Sequence, residues 1–200
     1  MISKFALVLA GHFADRDIYK REEISIYKYG FELLLSTILN MAGILLISVF
    51  MDTVVGAVFF CAAFIPLRLS AGGYHAKHHW SCIVGFNIIF LAFAALHHYM
   101  SAGHILPYLL VSVLISSLLI WSLAPVEAVN KPLKDEQRKR QRQRSIIIAC
   151  VNLAITLLFF TGQSINKFLP LFAFYNSGAL AASLSLLAAE ILNKQNRVYS

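Results

Sequence analysis

KPLKDEQRKRQRQRSIIIACVNLAITLLFF, residues 131–160, places seven lysines and arginines in its first half and none in its second. The break falls between Arg144 and Ser145. From there an apolar run continues to about residue 165, and a helix needs about 20 such residues to cross a bilayer. A basic stretch directly before such a run belongs on the cytoplasmic side of the membrane. Working outward, comparable runs occupy 31–51, 53–67, 82–100, 105–124 and 168–191.

Composition points the same way. The 200 residues are 58% hydrophobic and 14% charged, with a mean hydropathy of +0.69. Soluble domains carry about 25% charged residues, and a soluble core would leave much of this apolar surface facing water. The second run is short, ends at Pro66 and is followed by Arg68, so its end is expected to break or dip back. The fifth and sixth runs are parted by Asn166 and Lys167, and each is too long to be half of one span.

Charge orients the set. All but one of the 17 lysines and arginines fall in the leading segment, the 68–82 loop, the 125–144 stretch and the tail, and Lys167 is the exception. The expected fold is therefore an all-α integral membrane protein, one membrane domain over 1–200, with six transmembrane helices and both termini cytoplasmic. Residues 1–29 form an amphipathic N-terminal segment. Its helix lies at the interface with Ile2, Phe5, Ala6 and Leu9 on one face. The apolar core Phe5–Gly11 is too short, and too closely followed by charge, for a cleaved leader.

The basic loop, 125–144, has no interleaved aromatics to stack on bases, so nucleic acid is not its expected partner. Anionic membrane lipid, at about 1 kcal/mol per basic residue, is. An acidic peptide is compatible with it. Three scattered cysteines, Cys61, Cys82 and Cys150, form no disulfide framework. Cys61 and Cys150 sit in apolar runs and read as packed, unreactive thiols.

Cys82 closes the loop LSAGGYHAKHHWSC, residues 69–82. With Ser81 as cap it would lie in the first turn of the third span, where free N–H groups, Arg68 and Lys77 favour a thiolate. His75, His78 or His79 offers a base. On a straight helix His75 and Cys82 share a face but stand about 10 Å apart, so His75 requires a bend, which Gly72 and Gly73 permit. His78, at i−4, is the simple helical partner. The same histidines with Cys82 are also enough ligands for zinc, although no acidic residue is there to orient them. Spacing leaves a cysteine enzyme, a metal site and a plain polar loop open. His97, His98 and His104 fall at the opposite face and read as interfacial polar residues.

RLSAGGYHAKHHWSC, residues 68–82, resembles the signature of the accessory gene regulator B (AgrB) family, membrane cysteine endopeptidases of bacterial peptide quorum sensing. Arg68, Gly72, Gly73, His75, Ala76 and Cys82 match in register. APVEAVNKPL, residues 124–133, resembles the family's cytoplasmic segment after the fourth span. The resemblance implies a catalytic pair, His75 and Cys82, in a catalytic cytoplasmic loop, 68–82, with Arg68, Gly72, Gly73 and Lys131 supporting the loop or the substrate. It implies no cofactor and no metal. Its substrate is a precursor signal peptide with an amphipathic start and an acidic tail. The tail is removed through an acyl-enzyme, and the peptide closes to a thiolactone or lactone. A second copy of the chain, as a homodimer, is a further expected partner, and the cell membrane of a bacterium the expected location. The competing readings are a metal-binding membrane transporter and a peptide exporter or scaffold without chemistry. For a transporter, the spans offer only Glu32 and Glu190 as acidic groups.

Overall fold

The computed structural model describes residues 2–16, 18–73, 79–126, 134–161 and 168–198. Seven α-helices and one 3-10 turn, Arg21–Glu23, carry most of these residues: α1 Ile2–Ala14, α2 Ile24–Phe50, α3 Val54–Ala71, α4 His79–Tyr99, α5 Ala102–Leu123, α6 Asp135–Thr161 and α7 Leu169–Val198. One isolated bridge, Gly72 to Val126, is the strand-like pairing among the described residues. Helix is the economical answer for an apolar chain, because it satisfies every internal backbone N–H and C=O without water.

Among the described residues, five stretches are long and apolar enough to cross a membrane: Arg21–Phe50, Val54–Ala71, Trp80–Tyr99, Ala102–Leu123 and Leu169–Lys194. In α6 the apolar part begins only at Ser145, after three basic-rich turns. The helix starts at Asp135, so the second half of the stretch read as a basic loop is helical. Asp135 and Glu136 in its first turn match the positive end of the helix dipole.

Two sequence expectations are corrected. α3 does not break at Pro66 but continues to Ala71. The Ser70 hydroxyl donates to the Pro66 carbonyl at 2.8 Å, and Ser70, Leu67 and Ala71 are all buried, so packing carries the helix through the proline. In α1 the buried face is Ile2, Ala6, Ala10 and Ala14, one residue per turn. Phe5 lies 63% exposed, so the bulky residue points outward and the alanines inward. The Tyr19 hydroxyl donates to the Ala10 carbonyl at 2.5 Å, and the Tyr19 ring stacks on Tyr27 at 3.6 Å.

The chain divides into two compact units, Met1–Ile47 with Ala76–Phe90, and Ser48–His75 with Leu91–Ser200. In the first, α2 and the start of α4 meet where Gly43 faces Asn87. A Cβ on Gly43 would come within 2.3 Å of the Asn87 amide oxygen. That amide donates to the Ile83 carbonyl at 2.9 Å and to Asn40 at 3.4 Å.

In the second unit α7 is central and packs most extensively on α3 and α5. Small residues allow this, as expected where lipid removes the hydrophobic drive between helices. Ala173, Ser177, Ala181, Ala182 and Ala189 are buried on α7. At the tightest point a Cβ on Gly178 would stand 2.1 Å from the Phe60 carbonyl oxygen. Buried Asn176 donates to the Thr156 hydroxyl at 3.4 Å and to the Phe172 carbonyl at 3.1 Å, joining α7 to α6.

Gly178→Ala should therefore cost about 1–3 kcal/mol by forcing α3 away from α7. Gly103→Ala, where nothing lies within 4 Å, should cost nothing measurable. Thermal unfolding of the two variants in the same detergent checks this, with a clear drop in Tm expected for the first alone.

Candidate active site

Arg68 sits in the last turn of α3, where the chain leaves the helix. Its Nη1 donates to the Gly72 carbonyl at 2.9 Å and to the Ser185 hydroxyl of α7 at 3.2 Å. Gly72 closes α3, its N–H donating to the Arg68 carbonyl, with φ at 79°, and Gly73 follows at φ 126°. Both values lie where a side chain is strained. Space excludes one as well. A Cβ on Gly72 would meet the Val126 carbonyl oxygen at 2.2 Å, and a Cβ on Gly73 would meet Arg68 Nη1 at 1.8 Å. The Val126 N–H in turn donates to the Ala71 carbonyl at 2.9 Å. Arg68, Gly72 and Gly73 are thus brought together, and the start of the second quoted block, at Val126, is bonded to the end of the α3 that carries the first.

Cys82 is the fourth residue of α4 and is exposed. Ser81 lies inside the helix rather than capping it, since α4 begins at His79. The inner face here is Ile83 and Phe90, both buried, with Asn87 on α2. Cys82, beside Ile83, is therefore turned outward, still in the first turn of α4. Cys82 belongs to the first unit and the Arg68 junction to the second.

His75, Lys77 and His78 lie outside the described residues, as does Lys131, and His79 is described in its backbone alone. Among the described residues no three His, Cys, Asp or Glu side chains are grouped to hold a metal. Glu32 pairs with Lys28, and Glu190 with Lys194, each at 3.8 Å along its own helix. The other histidines separate. His98 and His104 are exposed, whereas His97 is partly buried with its Nε2 2.7 Å from the Ser177 hydroxyl, which also meets Tyr108. His97 is a structural link between helices rather than the interfacial group expected. Cys150 is exposed on the apolar part of α6 rather than packed, and Cys61 is half-buried.

Sequence reasoning missed Ser185, which lies 117 positions from Arg68 and carries no local signal. Val126 stands inside the second quoted block, although nothing in that block announced its pairing with Ala71 and Gly72.

Long apolar helices define a helical membrane protein, with a glycine junction at the end of α3 and an exposed cysteine at the start of α4. The family described as accessory gene regulator B matches residues 4–189, and the chain belongs to it. AgrB-like protein 2 of Clostridium perfringens (strain 13) is 24% identical over 184 residues, covering 89% of this chain and 81% of its own. An AgrB-like protein of C. perfringens (strain SM101) is 24% identical over 164 residues, or 79% and 77% of the two chains. One from Clostridium acetobutylicum is 28% identical over 137 residues, or 68% and 65%. Each of these is named by its likeness to AgrB. No solved structure matches.

With the protein in lipid vesicles, a charged, water-soluble maleimide should label Cys82 at least about tenfold faster than Cys61 or Cys150. Cys82 stands at a helix start and Cys150 in an apolar run. Mass spectrometry on single-cysteine variants reads the rates, and equal labelling of Cys150 would contradict this placement.

Proposed function

We propose that this chain is a membrane-embedded cysteine endopeptidase that removes the acidic tail of a precursor signal peptide and promotes its cyclisation. The observation that carries the reading is Cys82, outward in the first turn of α4, at the end of a stretch that resembles the AgrB signature in a chain that belongs to that family. The bundle is read as six spans with both termini cytoplasmic, α6 entering the bilayer at Ser145. Five apolar helices and the one-sided distribution of lysine and arginine support that orientation.

In the proposed reaction His75 takes the Cys82 thiol proton, and the thiolate attacks the carbonyl at the end of the signal segment. The peptide bond breaks, its nitrogen takes the proton from His75, and the tail departs. A thioester then joins the signal segment to Cys82. A thiol within the peptide passes its proton to His75 and attacks that thioester, closing a thiolactone and freeing Cys82, while a hydroxyl would close a lactone. Thioester exchange is nearly isoenergetic, so the outcome depends on keeping water from the intermediate. Arg68 is a positioning residue in this scheme. Its guanidinium is committed to Gly72 and Ser185, which fixes where the chain toward His75 begins.

The test is co-expression with a small precursor peptide that has an amphipathic start and an acidic tail. Cys82→Ala and His75→Ala should each lower tail removal by at least about 10³-fold while membrane insertion is kept. His78→Ala should stay within about threefold of wild type. Processing that survives Cys82→Ala defeats the proposal. Arg68→Lys should also fall below wild type, because a lysine lacks the planar guanidinium that holds Nη1 within reach of both acceptors.

A further inference from the structure

At one end of the second unit a cleft of about 600 Å³ opens between residues 122–126 at the end of α5, the first turns of α6 and the end of α7. Arg138, Lys139 and Arg142 line one wall, and Glu190 and Asn193 the other. The spacing i, i+1 and i+4 brings the three cations to one side of α6. Glu190 is engaged by Lys194 on its own helix, so the mouth is a net cationic, hydrogen-bonding surface.

What sets this cleft apart from a plain basic surface lies just beyond it. On α6, one and two turns past Gln143 in the row of Lys139, come Ile147, 61% exposed, and Val151, 47% exposed. On α5 the row leading back from Ser122 is Leu118, Leu114 and Val111, and all three are more than half exposed. Trp121, 61% exposed, stands beside it, as an aromatic does at headgroup level. α5 and α6 pack on each other, so two apolar strips run from the cationic mouth on adjacent helices. A free anion or an acidic peptide would use the mouth and leave the strips bare. A molecule with a charged head and two hydrocarbon chains uses both.

We infer that this cleft binds the phosphodiester headgroup of an anionic phospholipid, whose acyl chains lie along the strips on α5 and α6. The site is independent of the peptidase reading and more specific than attraction of a basic run to an anionic surface. The headgroup would rest against residues 124–126, whose Val126 N–H holds the Ala71 carbonyl beside the glycine pair.

Native mass spectrometry of the purified full chain, with phosphatidylglycerol or phosphatidylcholine added to the detergent, tests this. Phosphatidylglycerol should be retained and phosphatidylcholine not. K139Q/R142Q should weaken retention about thirtyfold. R140Q/R144Q removes the same charge from the same helix outside the cleft lining and should stay within about threefold of wild type. Ser122→Phe, which fills the mouth without changing charge, should match the loss in K139Q/R142Q and serves if that variant does not fold. Equal losses in the two charge pairs would reduce the effect to surface attraction and overturn the site. So would equal retention of the two lipids, displacement of the lipid by inorganic phosphate alone, or tighter binding of an oligoglutamate peptide.

Discussion

One guanidinium ties together segments that share no neighbourhood in the chain. Arg68 reaches the Gly72 carbonyl ahead of it and the Ser185 hydroxyl on α7, and both bonds depend on details elsewhere. Gly72 can aim its carbonyl back only at a positive φ, and only without a side chain against Val126. Hydrogen bonds to a charged group contribute about 1.5–3 kcal/mol each, enough to hold the exit of α3 in one direction. α3 must also run unbroken past Pro66 to bring Arg68 there, and α7 must approach closely enough for Ser185 to accept.

That approach is a matter of small side chains. In lipid, helices gain nothing by hiding apolar surface from one another, so contact rests on close packing and on hydrogen bonds between helices. Gly178 against the Phe60 carbonyl, Gly56 against the Phe174 ring and the alanines of α7 supply the first. Asn176 with Thr156, and His97 and Tyr108 with Ser177, supply the second. The outward residues of α2, α4 and α5 are large and apolar, which is the surface a bilayer accepts.

Much of this was legible in advance. The apolar runs located α2 to α7, and α3, α4 and α5 within a few residues at both ends, because run length and charge placement are the properties a bilayer selects. Boundaries failed where tertiary packing overrode local rules. Pro66 reads as a stop but sits among buried neighbours, α6 starts three turns early on its own acidic cap, and α1 buries alanines where its largest side chains suggested otherwise. The glycine pair was read as a bend, and its positive φ values agree. For Arg68 the resemblance left support of the loop or of the substrate open, and its bonds to Gly72 and Ser185 tie it to the start of the loop. Ser185 had no signal at all, since a serine on an apolar helix looks like any other until its partner is seen. His75 and Lys131 fall outside the described residues, so the bend between Gly73 and Cys82 stands as a demand of the proposed chemistry.

That chemistry makes Cys82 the atom through which a peptide must pass. The most direct test is the intact mass of the protein quenched in acid during turnover of its precursor, followed by peptide mapping. The proposed function predicts a mass increase equal to the signal segment without its tail, held on Cys82 as a hydroxylamine-labile thioester. Tail release with no adduct in the wild type, or an adduct mapping to any other residue, would contradict it.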